Sequence, residues 1–139
     1  IRKSLVGSEM CIRDRALQAR ALASIDYVFD GRGAIMALGP EAFRDTGGVQ
    51  SELAGVVNSP LEVASVEFAV LICCEDGLES KISFRSKPPR TPDAPWVNVS
   101  DVAAVLGGGG HVHASGARIH GSVEDARQGV LAALRDVLA

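Results

Sequence analysis

Short segments in which apolar and polar residues alternate recur along the chain, and this is the pattern of half-buried β-strands. Together with one continuous apolar run, they predict strands at residues 25–29, 34–38, 66–73, 78–85 and 117–119. Turn-forming residues separate them, such as Asp30 and Gly31 after the first strand and Asp76 and Gly77 after the third. These signals predict a sheet of about five strands.

Helical patterns lie before, between and after these strands. We expect helices up to residue 24, at residues 40–44 with Pro40 in the first turn, at residues 51–58, and at residues 101–106 with Ser100 as the cap. Residues 123–138 have apolar positions at helical spacing, after a capping box formed by Ser122 and Asp125. The fold class predicted is α/β or α+β, a single domain with one mixed sheet backed by helices.

Two strands carry polar or reactive side chains. In the fourth strand, Lys81, Ser83 and Arg85 share the face opposite the apolar residues. At the end of the third strand, alternation predicts that one of Cys73 and Cys74 is buried. Residues 87–95 contain four prolines and therefore predict an exposed loop.

Composition limits the classes of function. Of 139 residues, 47% are hydrophobic and 22% are charged, as in ordinary globular domains. The formal net charge of −3 provides no basic field that would hold long nucleic acid, so a nucleotide would need a local site. The apolar runs are too short to span a membrane, and we expect no membrane partner. Three cysteines, two of them adjacent, favour a reducing, cytoplasmic location.

The first fifteen residues differ from the rest of the chain. They have neither helical nor strand periodicity, and the segment MCIRDR at residues 10–15 resembles a translated adapter from sequencing-library preparation. We interpret residues 1–15 as a non-native segment and residues 16–139 as the domain. On this interpretation, the domain is the C-terminal fragment of a longer protein.

The strongest candidate for chemistry is a run of four glycines at residues 107–110, followed by His111. Consecutive glycines permit positive φ and close approach of another group, and such loops surround anions with backbone N–H groups. The run matches neither the dinucleotide fingerprint nor the phosphate-binding P-loop, and a helix C-cap needs only one or two glycines. The run therefore predicts an anion-binding loop.

The sequence GGGHVHASG at residues 108–116 resembles the G-G-G-H-x-x-A-[AS]-G signature of the DHHA1 domain, the substrate-binding half of DHH-family phosphoesterases. Within that family, it is most similar to bifunctional oligoribonucleases that also hydrolyse 3′-phosphoadenosine-5′-phosphate, the nanoRNase type. Weaker likenesses follow the family's order at residues 46–58, 82–86 and 97–100. The resemblance extends over residues 16–139.

The resemblance implies the roles of individual residues. The glycine loop and its histidine would contact the phosphate and sugar of the substrate, and Arg85 would bind a phosphate through its guanidinium fork. Two polar residues would contact the nucleotide or orient Arg85. The expected substrate-binding residues are Gly108, Gly109, Gly110, His111, Arg85, Ser83 and Asn58. Neither catalytic residues nor metal ligands are expected in this chain.

The resemblance also implies what the intact enzyme contains. The Asp-His-His motif and two Mn²⁺ ions belong to an N-terminal domain of the family that this sequence lacks, so this domain alone is expected to be inactive. The intact enzyme would hydrolyse short oligoribonucleotides or 3′-phosphoadenosine-5′-phosphate with water activated by the metal ions. The expected partners are this substrate and the catalytic domain in the same chain, with a second copy of the chain as a further candidate.

Other interpretations stay open. The family often has a basic residue just after the motif histidine, where this chain has Val112 and His113, and His113 is positive only when protonated. Arg85 is also consistent with a solvated strand position. The three histidines have no carboxylate pair nearby in the sequence and are weak evidence for a metal site. Two other functions remain candidates: a free-standing nucleic-acid-binding module and the C-terminal part of a cyclic-dinucleotide phosphodiesterase.

Overall fold

The computed structural model describes residues 2–138, with the backbone alone for residues 2–10 and residue 52. The chain begins with helix α1 (Arg2–Ala23), strands β1 (Asp26–Val28) and β2 (Gly33–Leu38), helix α2 (Pro40–Thr46) and two 3-10 helices (Gln50–Leu53 and Val56–Glu62). It continues with β3 (Phe68–Cys73), β4 (Glu79–Ser86), α3 (Val99–Val105), β5 (Gly109–His111), β6 (Ala114–His120) and α4 (Val123–Leu138).

The strands form one sheet in the order β1-β2-β3-β4-β6-β5. β2 and β3 are parallel, and the other neighbouring pairs are antiparallel. A parallel pair needs a crossover, which α2 and the 3-10 helices provide. The predicted mixed sheet backed by helices is therefore confirmed. It has six strands rather than about five, because part of the glycine run forms the edge strand β5.

The two faces of the sheet are covered to different extents. On one face, α3 and α4 pack against apolar side chains from β2, β3, β4 and β6, including Phe68, Ile82 and Phe84. On the other face, α1, α2 and the 3-10 helices pack against β2 and β3, on residues such as Met36 and Leu71. Among the described side chains, this second apolar layer ends at β3, and the 3-10 helices reach only the near side of β4. The side of β4 next to β6, together with β6 and β5, therefore keeps an open face.

Helix α4 begins as the sequence predicts. The Ser122 hydroxyl accepts a hydrogen bond from the Asp125 N–H at 3.2 Å, and the Asp125 carboxylate accepts one from the Ser122 N–H at 3.1 Å. The capping box is therefore confirmed. Its inner face buries Ala126, Val130 and Leu134 as the spacing predicts.

Helix α1 includes residues 2–15, although their sequence has no helical periodicity. It is continuous over Arg2–Ala23, and Leu17 and Ala21 are fully buried. The helix extends well beyond these anchoring residues because no proline interrupts it. The interpretation of residues 1–15 as a translated adapter stays a prediction. Among residues 2–138, none of the helices combines the length and apolar character that a membrane crossing requires.

Three local expectations were also wrong. Residues 51–58 form parts of two 3-10 helices rather than one continuous helix. Asn98, not Ser100, caps α3, because its side-chain oxygen accepts a hydrogen bond from the Ser100 N–H at 3.0 Å. Both Cys73 and Cys74 are buried, since β3 ends at Cys73 and the alternation rule no longer applies to the next residue.

Candidate functional site

The open face of β4 and β6 forms the floor of a groove with a volume of about 660 Å³. Alternation along β4 produces this floor, because Ile82 and Phe84 are buried on the opposite face and their neighbours point into the groove. The glycine run forms one wall. The polar and small residues that line the groove are Lys81, Ser83, Arg85, Gly107, Gly108, Gly109, Gly110, Ala114, Ser115, Gly116, Ala117 and Arg118.

The middle of the groove has almost no side chains. Ser83 on β4 lies opposite Gly116 on β6, and Gly116 lies opposite Gly109 on β5. One hydroxyl and two bare backbones therefore form a row across three strands. A flat group, such as a sugar or a base, can approach the backbone closely at this point.

The next row across the sheet joins Arg85 to His111. Ala114 lies between them, opposite Arg85 on one side and opposite His111 on the other. Neighbouring strands are about 4.8 Å apart, so the backbones of Arg85 and His111 are about 10 Å apart. Both side chains are long enough to reach one ligand in the groove. The resemblance implies that both residues contact the substrate, and the strand register places them in the same row of the sheet.

Arg85 has no carboxylate partner among the described ion pairs. Its side chain is half-buried, and its Nη1 donates a hydrogen bond to the Phe84 carbonyl oxygen at 2.8 Å. That contact orients the guanidinium but leaves its charge uncompensated. An uncompensated guanidinium in a concave site is suited to binding a phosphate.

The four glycines of the run have different structural roles. Gly107 and Gly110 have φ values of +82° and +151°, which side chains rarely adopt. At Gly108, an added Cβ would overlap the carbonyl oxygen of Gly116. At Gly109, an added Cβ would meet nothing within 4 Å. Three glycines are thus required by their backbone angle or by packing, whereas at Gly109 neither requires a glycine.

Two N–H groups of the run are not available to the anion-binding loop that the sequence predicts. The N–H of Gly108 donates to the Ala103 carbonyl oxygen at 2.8 Å, and that of Gly107 donates to the Ala104 carbonyl oxygen at 3.0 Å. These bonds complete the C-terminal end of α3, so neither N–H is available to an anion. The contribution of Gly108 to the groove is its lack of a side chain.

The β5–β6 hairpin is fixed at its tip. The Val112 carbonyl oxygen accepts hydrogen bonds from the Val99 N–H at 3.1 Å and from the Ser86 hydroxyl at 2.8 Å. The Ser86 N–H donates to the His113 carbonyl oxygen at 3.0 Å, and the Trp96 indole donates to the Ser86 hydroxyl at 3.1 Å. The end of β4, the start of α3 and the proline-rich loop therefore hold the turn that follows His111.

The histidines form a pair rather than a metal site. The rings of His111 and His113 are stacked, with centroids 6.0 Å apart and planes 17° apart, and both residues are exposed. His120 is exposed on β6, opposite Glu79. Among the described side chains, those of residues 11–138 other than residue 52, no three His, Cys, Asp or Glu groups converge where they could hold a metal ion. The described residues offer no site for manganese, which the resemblance assigns to a separate domain.

Most of the predicted site residues come together. Gly108, Gly109, Gly110, Ser83 and Arg85 line the groove, and the register places His111 at its rim. Asn58 does not line it. It is exposed on the second 3-10 helix, and it does not line the smaller hollow of about 140 Å³ next to β4 either.

Two cations of the groove were missed by sequence reasoning. Lys81 and Arg118 lie directly opposite each other on β4 and β6. The sequence indicates only a polar strand face for Lys81 and no role for Arg118. Strand alternation could predict the face of the strand on which each residue lies. Only the pairing of β4 with β6 brings the two residues together.

No protein-family model and no curated protein sequence matches the chain. Two solved structures are similar to it. An exopolyphosphatase-related protein from Bacteroides fragilis is 27% identical with a TM-score of 0.76, and the match covers 89% of this chain and 34% of that one. The pGpG-specific phosphodiesterase PggH from Vibrio cholerae is 11% identical with a TM-score of 0.60, and the match covers 94% of this chain and 40% of that one.

The chain therefore spans about a third of the first protein and two fifths of the second. Its fold is one that occurs as part of phosphoesterase-related proteins, in agreement with its resemblance to the DHHA1 domain.

Proposed function

We propose that this chain is the substrate-binding domain of a DHH-family phosphoesterase that hydrolyses short oligoribonucleotides, 3′-phosphoadenosine-5′-phosphate, or both. The observation that carries the proposal is the position of Arg85. Its guanidinium lines the groove without a carboxylate partner among the described residues, beside a floor that lacks side chains at Gly109 and Gly116. A cation beside a bare, open floor suits a phosphate attached to a nucleoside.

In this proposal the chain binds and orients the substrate, and another domain supplies the chemistry. Arg85 holds a phosphate, His111 contacts the sugar or phosphate from the rim, and Ser83 offers a hydroxyl to the nucleotide. Two manganese ions on a separate DHH domain would supply the activated water. The similar structures are longer than this chain, which supports the idea that the intact protein has a further domain.

The proposal is tested by titrating pApA, a dinucleotide with a 5′-phosphate, into the chain by calorimetry. The wild type should bind, and Arg85→Ala should weaken binding about tenfold or more, because a hydrogen bond to a charged group is worth about 1.5–3 kcal/mol. His111→Ala should also weaken it. Arg90→Ala is the matched control, since Arg90 is an exposed cation of the proline-rich loop outside the groove. Wild-type affinity in Arg85→Ala would contradict the proposal.

A second candidate is a domain of a phosphodiesterase acting on a cyclic-dinucleotide product. The similarity to the pGpG-specific enzyme favours it, although at 11% identity the likeness concerns the fold. Competition between pApA, pGpG and 3′-phosphoadenosine-5′-phosphate separates the candidates. Tighter binding of pGpG would favour the second, and binding of all RNA ends alike would favour a free-standing nucleic-acid-binding module.

We also propose a reducing, cytoplasmic location. Cys11, Cys73 and Cys74 are free thiols in the structure, although Cys73 and Cys74 are neighbours in sequence. Free cysteines persist where glutathione and thioredoxin keep thiols reduced.

A further inference from the structure

The groove has a second cationic end, formed by Lys81 and Arg118. These residues face each other across β4 and β6, where the Cβ atoms of paired residues lie about 5 Å apart. Both line the groove. Along β4, Lys81 is four residues from Arg85, which corresponds to about 13 Å of strand.

Like charges directly opposite each other in a sheet are unfavourable, and the described residues relieve this repulsion only in part. Arg118 Nη1 lies 3.0 Å from a carboxylate oxygen of Glu79, but the two side chains are 67% and 35% exposed. Exposed ion pairs of this kind contribute little. Lys81 has no carboxylate within ion-pair distance in the described part of the chain. A phosphate, which accepts from both cations, would remove the repulsion.

The surface between the two cationic ends is uncharged. It consists of Ser83 and the bare backbones of Gly116 and Gly109. The groove therefore has positive charge at Lys81 and Arg118, then a neutral floor, then positive charge at Arg85. This order matches a ligand with two phosphates separated by a nucleoside.

We propose that Lys81 and Arg118 form a second phosphate subsite, which binds the terminal phosphate of a short oligonucleotide whose next phosphate lies at Arg85. The proposal rests on the function proposed above and adds the orientation of the ligand along the groove. To match the span of one nucleoside, the flexible Lys81 side chain would lean over the neutral floor towards Arg85.

Acidic residues beyond this subsite explain why the bound phosphate is the terminal one. A hollow of about 200 Å³ next to Lys81 and Arg118 is also lined by Glu75, Asp76 and Glu79. A chain that continued past Lys81 would bring its next phosphate against these carboxylates. Repulsion there limits the ligand to short chains that end at Lys81 and Arg118.

The test compares two ligands that differ by one phosphate, pApA and ApA, on the full 139-residue chain. Lys81→Ala/Arg118→Ala should weaken pApA binding tenfold or more and change ApA binding less than twofold. Arg85→Ala should weaken the binding of both ligands, and Arg90→Ala should change neither. The slope of log affinity against log salt for pApA should fall by about 0.7 for each phosphate that is no longer neutralised. Circular dichroism checks that each variant is folded.

The outcomes separate this proposal from the one on which it rests. If pApA binds, Arg85→Ala weakens it and the Lys81→Ala/Arg118→Ala variant binds it like the wild type, the second subsite is wrong and the proposed function stands. Equal losses for pApA and ApA in that variant would also overturn the subsite. If the wild type binds neither ligand, both proposals fail.

Discussion

Gly108 and Gly109 are neighbours in the chain, but only Gly108 is packed against the carbonyl oxygen of Gly116, while Gly109 faces open space in the groove. A single methyl group therefore has opposite consequences at the two positions. At Gly108 it collides with the rigid backbone of β6. At Gly109 it enters the volume that a ligand would occupy.

We expect Gly108→Ala to lower the free energy of unfolding by about 1–3 kcal/mol, the usual cost of forcing an extra methyl group into a packed site. Gly109→Ala should keep the stability of the wild type within about 0.5 kcal/mol, as surface substitutions usually do, and should weaken pApA binding. Urea unfolding and calorimetric titration measure the two effects. A stable Gly108→Ala, or a Gly109→Ala variant with unchanged affinity, would contradict this division of roles.

Ser86→Ala should loosen the hairpin that carries His111. Its buried hydroxyl donates to the Val112 carbonyl oxygen and accepts from the Trp96 indole. The alanine variant therefore leaves the carbonyl oxygen with the Val99 N–H alone and the indole without its partner. We expect a loss of about 1–2 kcal/mol in unfolding free energy. The Val99 N–H, which donates to the same carbonyl, should exchange faster with deuterium.

Trp96→Phe is the matched control for Ser86→Ala. It removes the indole donor and leaves the bond between Ser86 and Val112 intact. Its effect on the exchange of the Val99 N–H should therefore be smaller. Equal effects of the two variants would show that the indole, and not the hydroxyl, holds the turn.

The three thiols should differ in reactivity. Cys11 is exposed, whereas Cys73 and Cys74 are buried. Burial also raises the pKa of the Cys73 thiol to about 12, so Cys73 stays a protonated, unreactive thiol in the folded protein. A disulfide reagent at pH 8 should label one thiol in the folded chain and three in denaturant. Labelling of two or three thiols in the folded chain would contradict the buried positions.

The same pKa makes stability depend on pH in the alkaline range. The folded state keeps the Cys73 proton up to about pH 12, whereas the unfolded chain releases it near pH 9, the ordinary value of the group. The contribution is therefore complete below pH 9 and is lost as pH rises, by about 1.4 kcal/mol per pH unit. In urea unfolding at pH 8 and pH 10, the difference in stability between wild type and Cys73→Ala should shrink at the higher pH. A stability difference that is the same at both pH values would contradict the raised pKa of Cys73.

The capping box of α4 stabilises the start of the helix, and a substitution at Ser122 measures its contribution to the stability of the fold. Ser122→Ala removes the hydroxyl that accepts from the Asp125 N–H and should cost about 1 kcal/mol. For a domain of this size, that corresponds to a decrease in Tm of about 3–5 °C. Ser122→Thr keeps a hydroxyl acceptor and should retain most of the stability. A thermal melt of both variants distinguishes the lost hydrogen bond from a general intolerance of substitution at this position.

The parts of the fold that depend on local patterns could be predicted from the sequence. The alternation along β4 and the capping box at Ser122 each require only neighbouring residues. The prediction at Cys74 was wrong because strand alternation ceases to apply where β3 ends. Local rules are reliable within an element and become unreliable at its boundary.

The candidate site was only partly predictable for a different reason. The motif around His111 indicated the glycine wall, but the cation pair of Lys81 and Arg118 depends on the register between β4 and β6. That register is set by contacts between residues that lie far apart in the sequence. Likewise, the Gly108 N–H donates to the Ala103 carbonyl oxygen at the end of α3. The glycine run alone does not show that the helix ends there.

The lengths of the two outer strands have a consequence for self-association. β1 and β5 lie at the edges of the sheet and have three residues each. Unpaired backbone groups on a long edge strand can recruit a strand from another molecule, but such short edges offer too few of them to form a stable ladder. Aggregation of this chain by strand addition at either edge is therefore disfavoured.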